Sequence, residues 1–355
     1  MAFQEINNVR IAGLAACVPA KVEENKDLSI FPSPEEKLKF METTGVERRR
    51  IAKPGVCASD LCFAAAEKLI TELGWEVKEI ECLVFVTTSP DYISPATSCI
   101  LQDRLGLSKE CMSFDISLGC SGWVYGLSII SSIVAASKFR KALLLAGDTT
   151  TQSKSPKDKS TWPLFGDAGS ATAIEYCEDC IGLKTHIATD GENYQAIIIE
   201  DGGSRHPFSL ESLKEHEYKE GIIRNKLQTT MNGMDVFSFG ISKVPQSVKS
   251  LFRKFGFANT EIDFFVFHQA NKYMNEIIRK KLDIPVEKVP YSLKNFGNTS
   301  SASIPLTIVS ELREVINSTD KQGLNFVACG FGVGFSYGSV MFSLNHAICC
   351  SLIEL

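Results

Sequence analysis

Two pairs of segments match each other at almost the same separation along this 355-residue chain. The segment EIECLVFVTT at residues 79–88 resembles EIDFFVFHQA at residues 261–270, which begins 182 residues later. The segment LLLAGD at residues 143–148 resembles FVACGF at residues 326–331, which begins 183 residues later. Chance similarity between apolar strands would not preserve the separation. The repetition therefore predicts a chain built from two similar halves.

Short apolar runs alternate with longer helical patterns along the whole chain. Short apolar runs are typical of strands buried in a sheet, and their alternation with helices indicates an α/β fold of layered helices and mixed sheets. We divide the chain into halves at residues 1–180 and 181–355. The charged stretch 205–228 is interpreted as an inserted segment that caps the site. The predicted strands are residues 81–88, 111–117, 141–147 and 170–176, and the predicted helices are residues 59–73 and 121–137.

Composition limits the classes of function. Apolar residues make up 44% of the chain and charged residues 22%, which is typical of a globular protein. The net charge of −5 argues against a general nucleic-acid-binding protein, because neutralising phosphates requires a basic surface. The longest apolar stretch, residues 123–136, is too short to span a membrane. The start of the chain lacks the pattern of a secretory signal peptide, so we expect a cytoplasmic protein.

Twelve cysteines are spread along the chain. Without a secretory signal, this distribution predicts reduced thiols. Cys177 and Cys180 have the spacing of a zinc or redox pair, but no second pair or histidine cluster accompanies them. We therefore expect no metal and leave the role of this pair open.

One cysteine occupies a distinctive position. Residues 114–123 read FDISLGCSGW, which places Cys120 between the end of a strand and a helix that begins near Ser121. The N–H groups and dipole at a helix start favour a thiolate, so we expect a lowered thiol pKa and a nucleophilic sulfur. A free cysteine is also commonly a small buried apolar residue. This segment alone favours neither interpretation.

Three further segments carry candidate residues. His268 follows the apolar run FFVF, at the predicted end of a buried strand, where a histidine is more often a core residue than a catalyst. Asn298 lies in a glycine-containing turn before a helix, a position that also suits a cap. The glycine-rich segment 328–340 is followed by a strand pattern, whereas a dinucleotide-binding loop requires a helix. It therefore predicts a hairpin that exposes backbone N–H groups, and we expect no cofactor.

Together these segments resemble the ketoacyl-ACP synthase III family of the thiolase superfamily. The resemblance extends to TTGVERRR at residues 43–50, LFGDAGSATA at residues 164–173 and MNGMDVFSFG at residues 231–240, so that it covers nearly the whole chain. It implies a thiolase-like α/β fold whose two halves arose by duplication. It also implies an acyltransferase of the 3-oxoacyl-[acyl-carrier-protein] synthase III type, active in fatty-acid or related lipid metabolism.

The resemblance implies roles for the residues singled out above. Enzymes of this family form an acyl-thioester on the cysteine and condense it with malonyl-ACP by decarboxylation. Cys120 matches the nucleophile. His268 and Asn298 match the pair that hydrogen-bonds the malonyl thioester oxygen as it becomes an enolate. Gly334 matches a backbone donor of the oxyanion hole, and Phe331 matches the phenylalanine beside the departing carboxylate.

Other positions depart from the family pattern. Lys39 and Thr43 stand where relatives carry a tryptophan and an arginine that hold CoA, and Lys159 replaces a second substrate-binding arginine. These differences leave open whether CoA or an acyl carrier protein delivers the acyl primer. Ser94, next to Ile93, replaces a bulky residue that closes the acyl pocket across the dimer. A small residue there is expected to admit a longer or more polar primer.

The resemblance also implies an acyl carrier protein as a partner and a homodimer as the assembly. An acidic carrier protein needs a basic docking surface. Runs of charge on helices are equally typical of solvated faces. The candidates for docking are Lys249, Arg253, Lys254 and Lys272, on two successive predicted helices.

The intact set of cysteine, histidine and asparagine favours carbon–carbon bond formation. We predict a decarboxylative Claisen condensation of an acyl primer on Cys120 with malonyl-ACP to give 3-oxoacyl-ACP, in fatty-acid initiation or a specialised pathway. The alternative is an acyltransferase of the same fold that passes the acyl group to an alcohol or amine. A non-catalytic partner subunit is disfavoured, because it would not need all three residues.

Overall fold

A computed structural model describes residues 2–318 and 323–355 of the chain. Two large sheets form its frame. The strands are β1 Ala2–Ile6, β2 Val9–Val18, β3 Val22–Glu24, β4 Arg48–Arg50, β5 Ile80–Val86, β6 Met112–Ile116, β7 Lys141–Asp148, β8 Ala168–Tyr176, β9 Leu183–Thr189, β10 Ile197–Ile198, β11 His216–Lys219, β12 Ile222–Arg224, β13 Thr230–Met231, β14 Phe264–Phe267, β15 Leu324–Phe331, β16 Ser336–Leu344, β17 Ile348–Cys349 and β18 Ile353–Glu354. The first sheet has the strand order β17-β2-β8-β7-β5-β6, with β18 also paired to β2. The second sheet has the order β1-β9-β16-β15-β14.

The two sheets repeat one arrangement of strands. In the first sheet β5 is parallel to β7, and β7 is antiparallel to β8. In the second sheet β14 is parallel to β15, and β15 is antiparallel to β16. The segments that match in sequence are therefore the equivalent strands, β5 with β14 and β7 with β15. All four predicted strands of the first half are confirmed to within two residues at each end.

The ends of the chain cross between the sheets. Strand β1 from the N-terminus pairs with β9 in the second sheet, whereas β17 and β18 from the C-terminus pair with β2 in the first. The chain passes from β8 to β9 near the predicted boundary at residue 180, and each half thus contributes strands to the other half's sheet. The division into residues 1–180 and 181–355 stays a prediction about sequence.

The helices are α1 Pro34–Thr44, α2 Ala58–Leu73, α3 Thr97–Arg104, α4 Gly122–Ser137, α5 Gly233–Phe255, α6 Lys272–Lys281, α7 Leu293–Phe296 and α8 Ser303–Ser318. They form layers around and between the sheets. Helices α4 and α8 lie between the sheets, in one buried cluster with side chains from both. Helix α2 covers the outer face of the first sheet, and α5 with α6 covers the outer face of the second. The result is five layers, in the order helix–sheet–helix–sheet–helix.

The inserted segment 205–228 has structure of its own. It contains the hairpin of β11 and β12, which is tied to the loop after β7. Arg224 in the hairpin forms a buried ion pair with Asp158, at 3.2 Å, and the Ser155 hydroxyl donates to the Ile223 carbonyl at 2.6 Å. The hairpin therefore rests on the loop that leads into strand β8.

Cys177 and Cys180 are joined by a disulfide, with their Cα atoms 5.5 Å apart. The expectation of reduced thiols is wrong for this pair. The reason is a tight turn, closed by the Cys180 N–H donating to the Cys177 carbonyl at 3.1 Å, which brings the two side chains together. The other ten cysteines are free. Within the described residues, no helix is long and apolar enough to cross a membrane.

Candidate active site

A cavity of about 490 Å³ is lined by residues from both halves of the chain, including the three residues singled out from sequence. Cys120, His268 and Asn298 all line it. Its wall also includes the residues that end or follow the repeated parallel strands, such as Thr149 after β7 and Phe331 at the end of β15. Carboxyl ends of parallel strands are the usual place for sites in α/β proteins. The equivalent strand ends of the two sheets thus contribute to one cavity.

Close packing around three glycines fixes the position of Cys120. A Cβ at Gly122 would lie 2.4 Å from Val86, and a Cβ at Gly126 would lie 2.7 Å from Leu144, so α4 needs both glycines to reach the first sheet. On the other side, a Cβ at Gly332 would lie 2.8 Å from the Cys120 sulfur. The thiol is therefore enclosed between the start of α4 and the hairpin of the second half.

The prediction of a lowered pKa for Cys120 is wrong. The residue is 7% exposed, and burial raises the pKa of its thiol to about 11, with the charge of Asp148 acting in the same direction. Hydrogen bonds from Ser300 and from the Val333 N–H, together with the positive charge of Lys154, lower the pKa but do not offset burial. Desolvation disfavours the charged form more than the helix start favours it.

His268 occupies the predicted end of a buried strand and is held there by its neighbours. Its Nδ1 lies 2.6 Å from the Ser303 hydroxyl, which also accepts a hydrogen bond from the Gln269 N–H at 3.4 Å. Because that N–H donates to the oxygen of Ser303, the hydroxyl hydrogen is free to be donated to Nδ1. Burial lowers the pKa of His268 to about 3. The ring is therefore neutral, and in the tautomer in which Nδ1 accepts from Ser303 its proton is on Nε2.

Asn298 is oriented in a comparable way. Its Oδ1 accepts a hydrogen bond from the Ser300 N–H at 2.9 Å, while its backbone is bonded to Leu164 and Gly166 on the adjacent segment. With the oxygen engaged, the amide nitrogen is the group available to a molecule in the cavity. His268 and Asn298 thus both present N–H donors there.

The glycine-rich hairpin is confirmed, but a residue other than Gly334 approaches the thiol. The backbone N–H of Val333 acts on the Cys120 thiol and lowers its pKa. Gly332 and Val333 line the cavity together with Phe331, whereas Gly334 is not part of its wall. Gly334 has φ +67°, a conformation that suits glycine, so its visible role is in the turn. Phe331 contacts the His268 ring edge-on, with centroids 5.4 Å apart.

Sequence reasoning missed several residues that line the cavity or hold its side chains in place. Ser303 and Val333 belong to segments that were singled out, but their contacts depend on the packing of distant elements. Lys154 had no sequence signal, since it lies in a polar loop after β7. Its side chain is 7% exposed and lines the cavity.

The proposed substrate-binding residues lie elsewhere. Lys159 forms an ion pair with Glu36 at 2.8 Å and packs beneath Gly221 of the inserted hairpin. Ile93 and Ser94 line a separate cavity of about 340 Å³, and Ile93 is 98% exposed. The structure of a single chain does not bring these three residues to Cys120, and their roles stay predictions.

The four docking candidates are exposed but stand at different distances from the cavity. Lys272 begins α6 directly after Asn271, which lines the cavity. Lys249, Arg253 and Lys254 lie near the end of α5, whose first residue, Gly233, lines the cavity. At 1.5 Å per residue, they lie about 24–32 Å along that helix. Cations at a helix C-terminus are also favoured by its dipole, so Lys272, beside Asn271, is the candidate next to the cavity.

Family models match both halves of the chain. The model for 3-oxoacyl-[acyl-carrier-protein (ACP)] synthase III matches residues 114–191, and the model for the C-terminal part of the same enzyme matches residues 252–344. These two ranges include Cys120, His268 and Asn298.

Individual relatives match over nearly their full length. The beta-ketoacyl-[acyl-carrier-protein] synthase III of Chlamydia caviae is 32% identical, over 96% of this chain and 98% of its own. A crystal structure of 3-oxoacyl-(acyl-carrier protein) synthase from Burkholderia xenovorans is 33% identical with a TM-score of 0.92, covering 100% of this chain and 99% of that one. The priming β-ketosynthase of the R1128 polyketide pathway is 25% identical with a TM-score of 0.81, covering 97% and 98%. The chain therefore has the thiolase-like fold and belongs to the 3-oxoacyl-[acyl-carrier-protein] synthase III family of acyltransferases, the condensing enzymes that its sequence resembles.

Proposed function

We propose that this protein catalyses a decarboxylative Claisen condensation between an acyl primer on Cys120 and malonyl-ACP. The observation that carries the proposal is the orientation of His268 and Asn298. Their acceptor atoms are engaged by Ser303 and Ser300, so both side chains offer N–H donors to the cavity that holds the thiol. Two donors aimed at one place stabilise an oxygen that gains negative charge.

The first half-reaction loads the primer. The Cys120 thiolate attacks the thioester carbonyl of the donor, the donor thiolate leaves, and the proton given up by Cys120 ends on the departing thiol. The backbone N–H groups of Cys120 and Val333 are the proposed donors to the carbonyl oxygen, because Val333 lines the cavity and its N–H acts on the Cys120 thiol. Val333 is thus favoured over Gly334 for the oxyanion hole.

The second half-reaction forms the new bond. The bond between the malonyl carbon and its carboxylate breaks, CO₂ leaves, and the electron pair becomes an enolate whose oxygen accepts from His268 Nε2 and Asn298 Nδ2. The enolate carbon then attacks the acyl carbonyl on Cys120, and the cysteine leaves as a thiolate. Phe331 lies edge-on to His268, and such an apolar wall disfavours the charged carboxylate and so favours its loss.

The acyl carrier protein and a second copy of the chain are the proposed partners. Lys272, next to the cavity, is the proposed contact for the carrier. Tyr92, 62% exposed, and Ile93 present apolar surface beside Ser94, which supports an interface between two copies at this loop. The source of the primer, CoA or carrier protein, is left to the experiment.

Mass spectrometry of the intact protein tests the first step. Incubation with a panel of acyl-CoA and acyl-ACP thioesters is expected to add one acyl mass to the wild type and none to Cys120→Ala. Cys99→Ala is the matched control, because Cys99 is an exposed free cysteine on α3, and it should still be acylated. An adduct that persists in Cys120→Ala would overturn the assignment of the nucleophile.

Release of CO₂ tests the second step. Addition of malonyl-ACP to the acylated enzyme is expected to release CO₂ and give 3-oxoacyl-ACP, and Asn298→Ala should slow this by about 10²–10³-fold. Acylation without CO₂ release, together with transfer to an added alcohol or amine, would instead establish the alternative acyltransferase. No observation in the cavity favours that alternative now.

A further inference from the structure

A buried ammonium group lies in the wall of the active-site cavity. Lys154 is 7% exposed, and its Nζ donates to the hydroxyls of Thr229 at 2.9 Å and Ser153 at 3.1 Å. It also lies over the ring of Phe165, 4.5 Å from the centroid. Each of these partners is neutral, and among the described residues Lys154 forms no ion pair with a carboxylate.

The nearest acidic residues are engaged elsewhere. Asp148, Asp158 and Asp167, with the Cys120 thiol, are the groups whose charge acts on Lys154. Asp148 accepts from the backbone N–H groups of Thr88 and Ser301, and from their hydroxyls, at 2.7–3.1 Å.

The other two acids are held in the same manner. Asp158 is paired with Arg224 and accepts from Ser160. Asp167 accepts from the N–H groups of Ala52 and Thr151 and from the Thr151 hydroxyl, at 2.6–2.9 Å. None of these carboxylates contacts Nζ.

A buried cation held only by neutral groups is costly. Burial accordingly lowers the pKa of Lys154 to about 8. A carboxylate that entered the cavity would supply the missing charge and a charge-assisted hydrogen bond. An anionic ligand would therefore be stabilised at this position. The charge of Lys154 also lowers the pKa of the Cys120 thiol.

We propose that Lys154 binds a carboxylate at the far end of the acyl primer, so that the enzyme prefers dicarboxylic acyl thioesters to neutral ones of the same length. This inference rests on the proposed function, because it assumes that Cys120 carries the primer. Thr229 and Ser153 hold the ammonium in place, and Lys154 is the specificity-determining residue.

Two other anions fit the position less well. The phosphates of CoA are strongly hydrated and suit an entrance, whereas Lys154 is almost fully buried. The malonyl carboxylate must become neutral CO₂, and an ammonium in contact with it would stabilise the charged ground state and slow its loss. Phe331, beside His268, offers the apolar surroundings that this step needs.

Competition between matched donors tests the proposal in the loading step alone, without malonyl-ACP. Second-order rate constants for acylation of Cys120 are measured for pairs of equal carbon number, butyryl against succinyl and pentanoyl against glutaryl. We expect the carboxylate donor to be favoured, and the ratio to fall at least tenfold in Lys154→Met while Lys154→Arg retains a preference. Lys157→Met is the matched control, since Lys157 is on the same loop but pairs with Glu215 at the surface.

A ratio that is unchanged in Lys154→Met, or a wild type without preference for the carboxylate donors, would overturn the proposal. So would a variant that loads both donors normally but fails with malonyl-ACP, because the lysine would then serve the extender. These results leave the proposed function intact. Failure of the proposed function looks different, since no donor of either kind would then acylate Cys120.

The ratio of the acylation rate constants for carboxylate and neutral donors can also be measured as a function of pH in the wild-type protein alone. Lys154 is charged below its pKa of about 8 and neutral above it, so the preference for carboxylate donors should be greatest below pH 8 and decline above it. The demand for Cys120 thiolate applies equally to both donors and cancels in the ratio. A preference that stays constant from pH 6.5 to pH 9.5 would contradict the assignment even if Lys154→Met did not fold.

Discussion

Cys120 shows how one residue can combine a reactive position with an unreactive resting state. It lies at the start of α4, yet burial raises its pKa to about 11. At pH 7 the thiolate is then about one molecule in ten thousand. The thiolate is therefore a minor species, and loading depends on the hydrogen-bond donors and charges that surround the sulfur when a thioester is bound.

The raised pKa makes a prediction about alkylation. The rate at which iodoacetamide modifies Cys120 should rise about tenfold per pH unit from pH 7 to pH 10, because the thiolate fraction does so below the pKa. Peptide-level mass spectrometry separates this site from the exposed Cys99. A rate that levels off below pH 8 would show that the thiol is activated after all.

Ser303 makes a prediction about the second half-reaction. We infer that its hydroxyl fixes the His268 tautomer, so Ser303→Ala should lower the rate of condensation roughly tenfold, the effect of about one hydrogen bond. Loading of Cys120 should hardly change, because it does not need the Nε2–H donor. Ser310→Ala, farther along α8 with its hydroxyl bonded to Glu311, is the control. Equal losses in both half-reactions would indicate a merely structural role.

At the scale of elements, the helices present the docking candidates very differently. Lys272 stands at the first turn of α6, next to the cavity, whereas Arg253 is in the last turn of α5. The position of Arg253 at the end of a helix accounts for a basic residue there without any carrier protein, because the helix dipole favours cations at the C-terminus. The sequence pattern could not distinguish the two, since both are basic residues on amphipathic helices.

This difference can be measured with charge reversals. Lys272→Glu should lower kcat/KM for malonyl-ACP about tenfold, and the effect should shrink at high salt because exposed charges are screened. Arg253→Glu should change it little. The same variants assayed for loading from acyl-CoA separate carrier docking from damage to the site. A larger loss in Arg253→Glu would move the docking surface to the far end of α5.

At the scale of the whole molecule, the crossing of the chain ends joins the two halves. Strands β17 and β18 complete the first sheet although they lie at the end of the second half in sequence. Helices α4 and α8 share one buried cluster with both sheets. The halves are thus interleaved, and neither sheet is complete without residues from the opposite end of the chain.

Removal of residues 347–355 should therefore lower the melting temperature of the whole protein in a single transition. The deletion exposes strand β2 and removes the buried Cys349 and Cys350. The apolar area that they bury corresponds to a loss of several kcal/mol in the free energy of unfolding. Calorimetry measures the melting temperature and the number of transitions. Glu354→Gln is the control, because it removes only the partly exposed ion pair with Arg50, which contributes about 1 kcal/mol or less. Two separate transitions would show that the halves fold independently.

The sequence alone determined the architecture and the central residues. Apolar runs and their repetition at a separation of 182 to 183 residues specify equivalent strands, because alternation and length are local properties of a chain. The position of Cys120 before α4 and of His268 after β14 follows from those strands. The resemblance to the family then implied that these residues share one site before any contact was known.

Only the tertiary structure decided what surrounds those residues. Lys154 and Val333 reach the cavity, and Ser303 reaches His268, because the packing of the two halves brings together segments that are far apart along the chain. The pKa of Cys120 was predicted in the wrong direction for the same reason. A helix start is visible in the sequence, but desolvation is set by every atom that excludes water from the thiol, and those atoms come from both halves of the molecule.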